Sequence, residues 1–157
     1  MGENAGLYTM YKTVFRRSGE HMSLRCEASR TQGNLSEVHP DLQAVARRAI
    51  ELCKERGLDF ICTDGHRTFE EQRHFVSTGK SKTMNSRHLG GLAIDVAAFK
   101  DGKCEYKWED QKELWEVFLE AANELGIPIE WGGNWKTFKD TPHIQLSKEA
   151  YPDVLSV

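Results

Sequence analysis

A chain of 157 residues with 21 Lys/Arg, 24 Asp/Glu and a formal net charge of -3 is long enough to bury a core without disulfide staples. Its mildly acidic balance, with a pI near 6.1, lacks the basic footprint of a nucleic-acid binder. No apolar stretch reaches the roughly 20 residues of a transmembrane helix, and no signal peptide is evident at the N-terminus. The charge is uneven: residues 1–56 carry nine Lys/Arg against seven Asp/Glu, and residues 57–157 carry twelve against seventeen.

In chain order, residues 1–35 read as an N-terminal arm of weak periodicity, interrupted at Gly19 and Gly33, which Tyr11, Val14 and Phe15 would pin to the body. Met22 is a candidate internal start. Residues 36–157 form the remaining domain. Its first helix has Pro40 in the opening turn, an apolar stripe of Leu42, Val45, Ala46, Ala49, Ile50 and Cys53, and Gly57 as its stop. Leu58 to Thr63 reads as a short buried strand. The next helix opens on Thr68-x-x-Glu71, a capping-box pattern, and ends near Gly79. Residues 80–91 read as a loop, Leu92 to Phe99 as a strand, Asp101-Gly102 as a hairpin turn and Lys103 to Lys107 as the returning strand. A long amphipathic helix over 109–125 turns Leu114, Trp115, Phe118, Leu119, Ala122 and Leu125 inward and Glu109, Glu113, Glu116, Glu120 and Glu124 to water. Ile127 to Trp131 and His143 to Leu146 complete a single-domain α+β chain with a small antiparallel sheet packed with helices. Cys26, Cys53, Cys62 and Cys104 form no C-x-x-C pair and read as reduced thiols of a protein made in the cytosol.

The chemistry concentrates in Ser86-Arg87-His88-Leu89-Gly90-Gly91-Leu92-Ala93-Ile94-Asp95 and in Asp140-Thr141-Pro142-His143. Asp95 alternates with Ile94 and Val96 along a strand, so it faces away from the core they line. Gly90-Gly91 lets the loop turn so that His88 can meet Asp95. His143 begins a separate strand. Two imidazoles and a carboxylate at such junctions can share a zinc ion with one position left for water, the arrangement of a hydrolytic site. Taken one at a time, such residues are usually surface or capping groups. Asp140 is a candidate general base, and Glu130 a rival whose place between Ile129 and Trp131 suits a structural hydrogen bond. Trp131, Trp135 and Phe138 fit either a substrate groove or the core. His66 is the free histidine best placed to touch substrate, whereas His21, His39 and His74 are not expected to be ligands.

These residues resemble the zinc D-alanyl-D-alanine carboxypeptidases of the VanY type, and most of all their L-alanyl-D-glutamate endopeptidase branch, which includes bacteriophage endolysins. Beyond Ser86-x-His88-x6-Asp95 and the later x-x-His, the resemblance takes in Val38-His39-Pro40-Asp41-Leu42, Gly65-His66-Arg67-Thr68 with Gln72, and Trp131-Gly132-Gly133-Asn134-Trp135, in the family's order from about residue 36 to 147. It implies the α+β fold shared with the hedgehog signalling domain. It also implies His88, Asp95 and His143 as zinc ligands, Asp140 as the catalytic carboxylate where related carboxypeptidases have Glu, and Arg67 as the cation steadying the developing oxyanion. Ser86, Gln72, His66, Trp131 and Trp135 would then lie on the substrate side, with Ser86 supporting the site rather than reacting. Three departures bear on substrate detail: His66 in place of an aromatic such as Tyr, Asn134 where Asp is common, and the longer arm.

The resemblance implies a zinc-dependent, monomeric peptidoglycan hydrolase that cuts the L-Ala–D-Glu bond of the stem peptide. It would accumulate in the host cytoplasm and act on the cell wall after release at lysis, without inserting in a membrane. A D,D-carboxypeptidase removing terminal D-Ala uses the same chemistry, and a zinc-stabilised binding module that does not turn over is the reading from another class.

Overall fold

The computed structural model describes residues 24–153; Tyr11, Val14, Phe15, Gly19, His21 and Met22 lie outside the described residues. A 3-10 turn at Arg25–Glu27 leads into α1 (Ser29–Leu35), then α2 (Pro40–Arg56), β1 (Phe60–Asp64), α3 (Phe69–Ser77) and a second 3-10 turn at Arg87–Gly90. There follow β2 (Ala93–Lys100), β3 (Lys103–Glu105), α4 (Trp108–Leu125), β4 (Ile129–Trp131), a third 3-10 turn at Gly132–Asn134 and β5 (His143–Leu146).

Local chemistry explains these boundaries. The α2 helix starts at Pro40, its His39 side chain capping the Asp41 N–H, and stops at Gly57, whose φ of 71° is open to glycine at little cost. For α3, the Thr68 hydroxyl accepts from the Glu71 N–H and the Glu71 carboxylate accepts from the Thr68 N–H, the reciprocal cap expected from the sequence. α1 was not anticipated. Its residues are mostly polar, and it is held by contacts outside itself: the Thr31 hydroxyl accepts from the Cys62 N–H and donates to the Arg25 carbonyl, and Asn34 donates to the Cys62 carbonyl.

The sheet is antiparallel throughout, in the order β1-β2-β5-β4, with β3 also paired to β2. β5 pairs with β2 at Ala93–Asp95 and β3 at Ala98–Lys100. One face carries Ile94, Val96 and Ala98 against a core shared with α2 and α4, where Leu42, Val45, Ala49, Phe60, Leu114 and Phe118 are buried. Each large apolar side chain withdrawn there contributes about 1.5–3 kcal/mol. The Phe60 and Phe118 rings meet edge to face at 5.3 Å. On the outer side of α4, Glu120 and Glu124 pair with Arg56 and Arg48 of α2. These pairs are solvent-exposed and add little to stability.

Candidate metal centre

Asp95 occupies the middle of β2 on the face opposite Ile94 and Val96. The register places it across from His143 of β5 on one side and Asp64 of β1 on the other. A bulge between Cys62 and Asp64 re-aims the end of β1 at this row. His88 arrives from the 3-10 turn, where the Ser86 hydroxyl accepts from the His88 N–H and Gly91 closes the turn with φ 69°. The Nε2 atom of His88 and the Nδ1 atom of His143 lie 3.4 and 3.6 Å from Asp95 Oδ1.

The outer nitrogen of each imidazole is committed. His88 Nδ1 lies 2.8 Å from the Gly65 carbonyl oxygen, which can only accept, so that nitrogen carries the proton and Nε2 is bare. His143 Nε2 lies 2.7 Å from Gln145 Oε1, which leaves Nδ1 bare in the same way. Asp95 Oδ1 is buried without a hydrogen-bond partner. In the neutral imidazoles three lone-pair atoms thus converge, an arrangement that is costly in a buried site unless a cation or a proton joins it. The proton is the metal-free alternative, since burial works to lower the His143 pKa but Asp95 outweighs it and raises it. Ligands around a tetrahedral zinc with bonds of about 2.0–2.1 Å stand roughly 3.3–3.5 Å apart, close to the spacings found here. The donor set fits a metal ion. Burial works to raise the Asp95 pKa, but the adjacent His143 and His88 outweigh it and hold the carboxyl below its ordinary range.

Asp140 ends the loop before β5. Its N–H donates to the Gly132 carbonyl, and its own carbonyl accepts from the His143 N–H, so its backbone is tied to a ligand. Burial, followed by the Asp95 charge, pushes its carboxyl above the ordinary value, while His143, His88 and Arg67 pull the other way. Arg67 is buried and its guanidinium is almost fully engaged. It donates to Asp64 at 2.6 and 3.1 Å and to Gln72 Oε1 at 2.6 Å, and lies 4.4 Å from the Phe75 ring centre. One NH2 group stands 3.8 Å from Asp95 Oδ2, which brings a fixed positive charge to the edge of the triad.

The remaining candidates divide. Gln72, expected on the substrate side, is wholly buried. It accepts from Arg67 and donates to the Ser81 hydroxyl and the Thr83 carbonyl, so it holds Arg67 and the 80–86 loop rather than facing a ligand. Trp131 belongs to the core. It is 2 % exposed, is stacked at 5.7 Å on Trp115, and donates from its indole to the Thr141 carbonyl. Trp135 is half-buried with its ring 5.1 Å from that of His143, and Phe138 is 74 % exposed with Lys82 over its ring at 5.5 Å. Trp135 therefore lies beside the centre, whereas Phe138 sits exposed on the loop between β4 and β5. His66 is exposed. Glu130 accepts from Gln145 and from the Lys148 N–H, which occupies both carboxylate oxygens. Asp64 and Gln145 were missed. The period-2 pattern His143-Ile144-Gln145 already put Gln145 on the face of His143, and Asp64 precedes Arg67 by three residues.

The family model for phage L-alanyl-D-glutamate peptidases matches residues 22–149. The chain is 34% identical over 127 residues to the L-alanyl-D-glutamate peptidase of Escherichia phage T5, covering 77% of this chain and 88% of that protein. It is 32% identical over 123 residues to the L-alanyl-D-glutamate peptidase of Listeria phage A118, covering 78% of this chain but only 43% of that longer protein. Among solved structures, the Serratia marcescens L-Ala D-Glu endopeptidase ChiX superposes with a TM-score of 0.72 at 41% identity, covering 80% of this chain and 92% of that one.

Proposed function

Since this chain belongs to the phage L-alanyl-D-glutamate peptidase family, we propose that it is a zinc peptidase that hydrolyses the L-Ala–D-Glu bond of the peptidoglycan stem peptide and serves as an endolysin in host-cell lysis. The observation that carries this reading is the convergence of His88 Nε2, Asp95 Oδ1 and His143 Nδ1, their outer nitrogens already committed, beside Asp140 and Arg67. His88, Asp95 and His143 would hold the ion. When bound, zinc supplies Lewis acidity, bringing the ionisation of water to about pH 7 and polarising a carbonyl.

The chain's own residues do the rest. Asp140 takes the proton of the attacking water and returns it to the departing amide nitrogen, a two-way task suited to a carboxyl whose burial favours proton uptake. Arg67, immobilised by Asp64, Gln72 and Phe75, presents a preorganised positive charge to the carbonyl oxygen as negative charge develops on it. Trp135, beside His143, gives the peptide an apolar wall. Among the described residues no helix is long and apolar enough to cross a membrane.

Digestion of purified peptidoglycan with and without chelator, read by mass spectrometry, tests the proposal. New N-terminal D-Glu, lost on chelation and restored by zinc, is the expected result. Loss of terminal D-Ala alone would reassign the chain as a carboxypeptidase. No cleavage by folded, zinc-loaded protein would favour the binding module.

A further inference from the structure

We propose that Glu130 and Gln145 act as positioning residues that select the tautomer of His143 and thereby set the affinity of the centre for its ion. This inference rests on the reading that His143 holds a metal. Sheet register stages the relay. Asp95 faces His143 in one row of the sheet, and Gln145 faces Glu130 two residues along β5. His143 Nε2 lies 2.7 Å from Gln145 Oε1, Gln145 Nε2 donates to Glu130 Oε1 at 2.9 Å, and the Lys148 N–H donates to Glu130 Oε2 at 3.3 Å. His143 and Gln145 are both buried, at 6% and 2% exposure, so bulk water does not replace a lost partner.

The direction of the relay follows from one group. A carboxylate accepts and does not donate. Glu130 therefore orients the Gln145 amide with its NH2 outward, which turns Oε1 toward His143. That oxygen can only accept, so His143 carries its proton on Nε2 and presents a bare Nδ1 to Asp95. Without Glu130 the amide is free to turn over, and an NH2 group facing the ring would favour the Nδ1–H tautomer, which cannot bind a metal through that atom. The two imidazoles thus differ. His88 is set by a main-chain carbonyl, whereas His143 is set by two side chains that a substitution can reverse. Outer partners of this kind are typically worth about 10–100-fold in metal affinity.

The test uses the zinc-free, folded protein and zinc alone as ligand. Zinc affinity is measured by competition with a chromophoric chelator, and two-bond 1H–15N spectra report which His143 nitrogen is protonated. Glu130→Leu, which removes the acceptor that orients the Gln145 amide, should weaken zinc about 10–100-fold and populate the Nδ1–H form. The double variant Glu130→Leu/Gln145→Glu places beside His143 a carboxylate that can only accept, and should recover most of the lost affinity together with the Nε2–H tautomer. Unchanged affinity and tautomer in Glu130→Leu, or a double variant no better than the single one, would overturn the relay. Should Glu130→Leu fail to fold, Gln145→Leu, which removes the partner of His143 directly, decides the matter by the same two readouts. A wild-type protein that binds no zinc would instead overturn the metal reading itself, a separate outcome from the tautomer result.

Discussion

Replacing Gly132 by Ala perturbs the placement of Asp140 without touching a proposed ligand. A Cβ at position 132 would lie 2.3 Å from the Asp140 carbonyl oxygen, 3.0 Å from its Cβ and 3.2 Å from its carbonyl carbon. These are mainly backbone atoms, and the Gly132 carbonyl already accepts from the Asp140 and Trp135 N–H groups, so the loop has no slack. Reaching ordinary contact requires the two segments to part by about 1 Å in an interior packed like a crystal. A shift of about 1 Å in a catalytic group costs on the order of 100-fold in rate, or about 2.7 kcal/mol in the barrier. Overpacking should also remove about 1–3 kcal/mol of stability. The assay is kcat/KM on a soluble stem-peptide substrate, with zinc content and thermal melting measured alongside. Gly33→Ala is the control, since a Cβ there meets nothing within 4 Å in α1; it should stabilise by about 0.5–1 kcal/mol. Wild-type turnover by folded, zinc-loaded Gly132→Ala would refute the argument that this glycine seats Asp140.

Asp140→Ala should abolish turnover while zinc stays bound, as read by activity and metal analysis on the same sample; loss of the metal would make Asp140 a ligand instead. Gln111→Leu should destabilise by about 3 kcal/mol or more in denaturant melts, because buried Gln111 satisfies the Ala98 N–H and the Val96 and Thr141 carbonyls. Burial pushes the Cys53 and Cys62 thiols to about 12 and raises Cys26 as well. Their thiolates are therefore scarce below that pH, so in native protein at pH 8 a thiol reagent should modify half-buried Cys104 first and the other three only on unfolding.

The elements with strong local chemistry were legible in the chain. The Pro40 start and Gly57 stop of α2, the Thr68–Glu71 capping box and the Asp101-Gly102 turn lie where composition puts them, because each is decided within a few residues. The α1 helix was hidden because it buries only Thr31 and Leu35 and contains Gly33; its stability comes from hydrogen bonds to β1, more than 25 positions away. At the centre, the side on which Asp95 faces followed from alternation along β2. The partners of its neighbours did not. Gly65 contributes a carbonyl, which no residue type announces, and Gln72 and Gln145 act through amides whose orientation is decided by Arg67 and Glu130. Trp131 fitted groove and core equally until packing between Trp108 and Trp115 decided it.

The order in which the triad is synthesised has a consequence of its own. His88 and Asp95 leave the ribosome early, but His143 follows Asp95 by 48 residues, an interval of roughly 2–10 s at 5–20 residues per second. Arg87, next to His88, waits longer still for its acceptors at Leu146, Tyr151 and Asp153. On the reading that His143 holds the ion, a nascent chain carries two of three ligands until β5 is made, and a fragment ending before β5 should show no hydrolysis. On that reading, competence for hydrolysis arrives with the last strand.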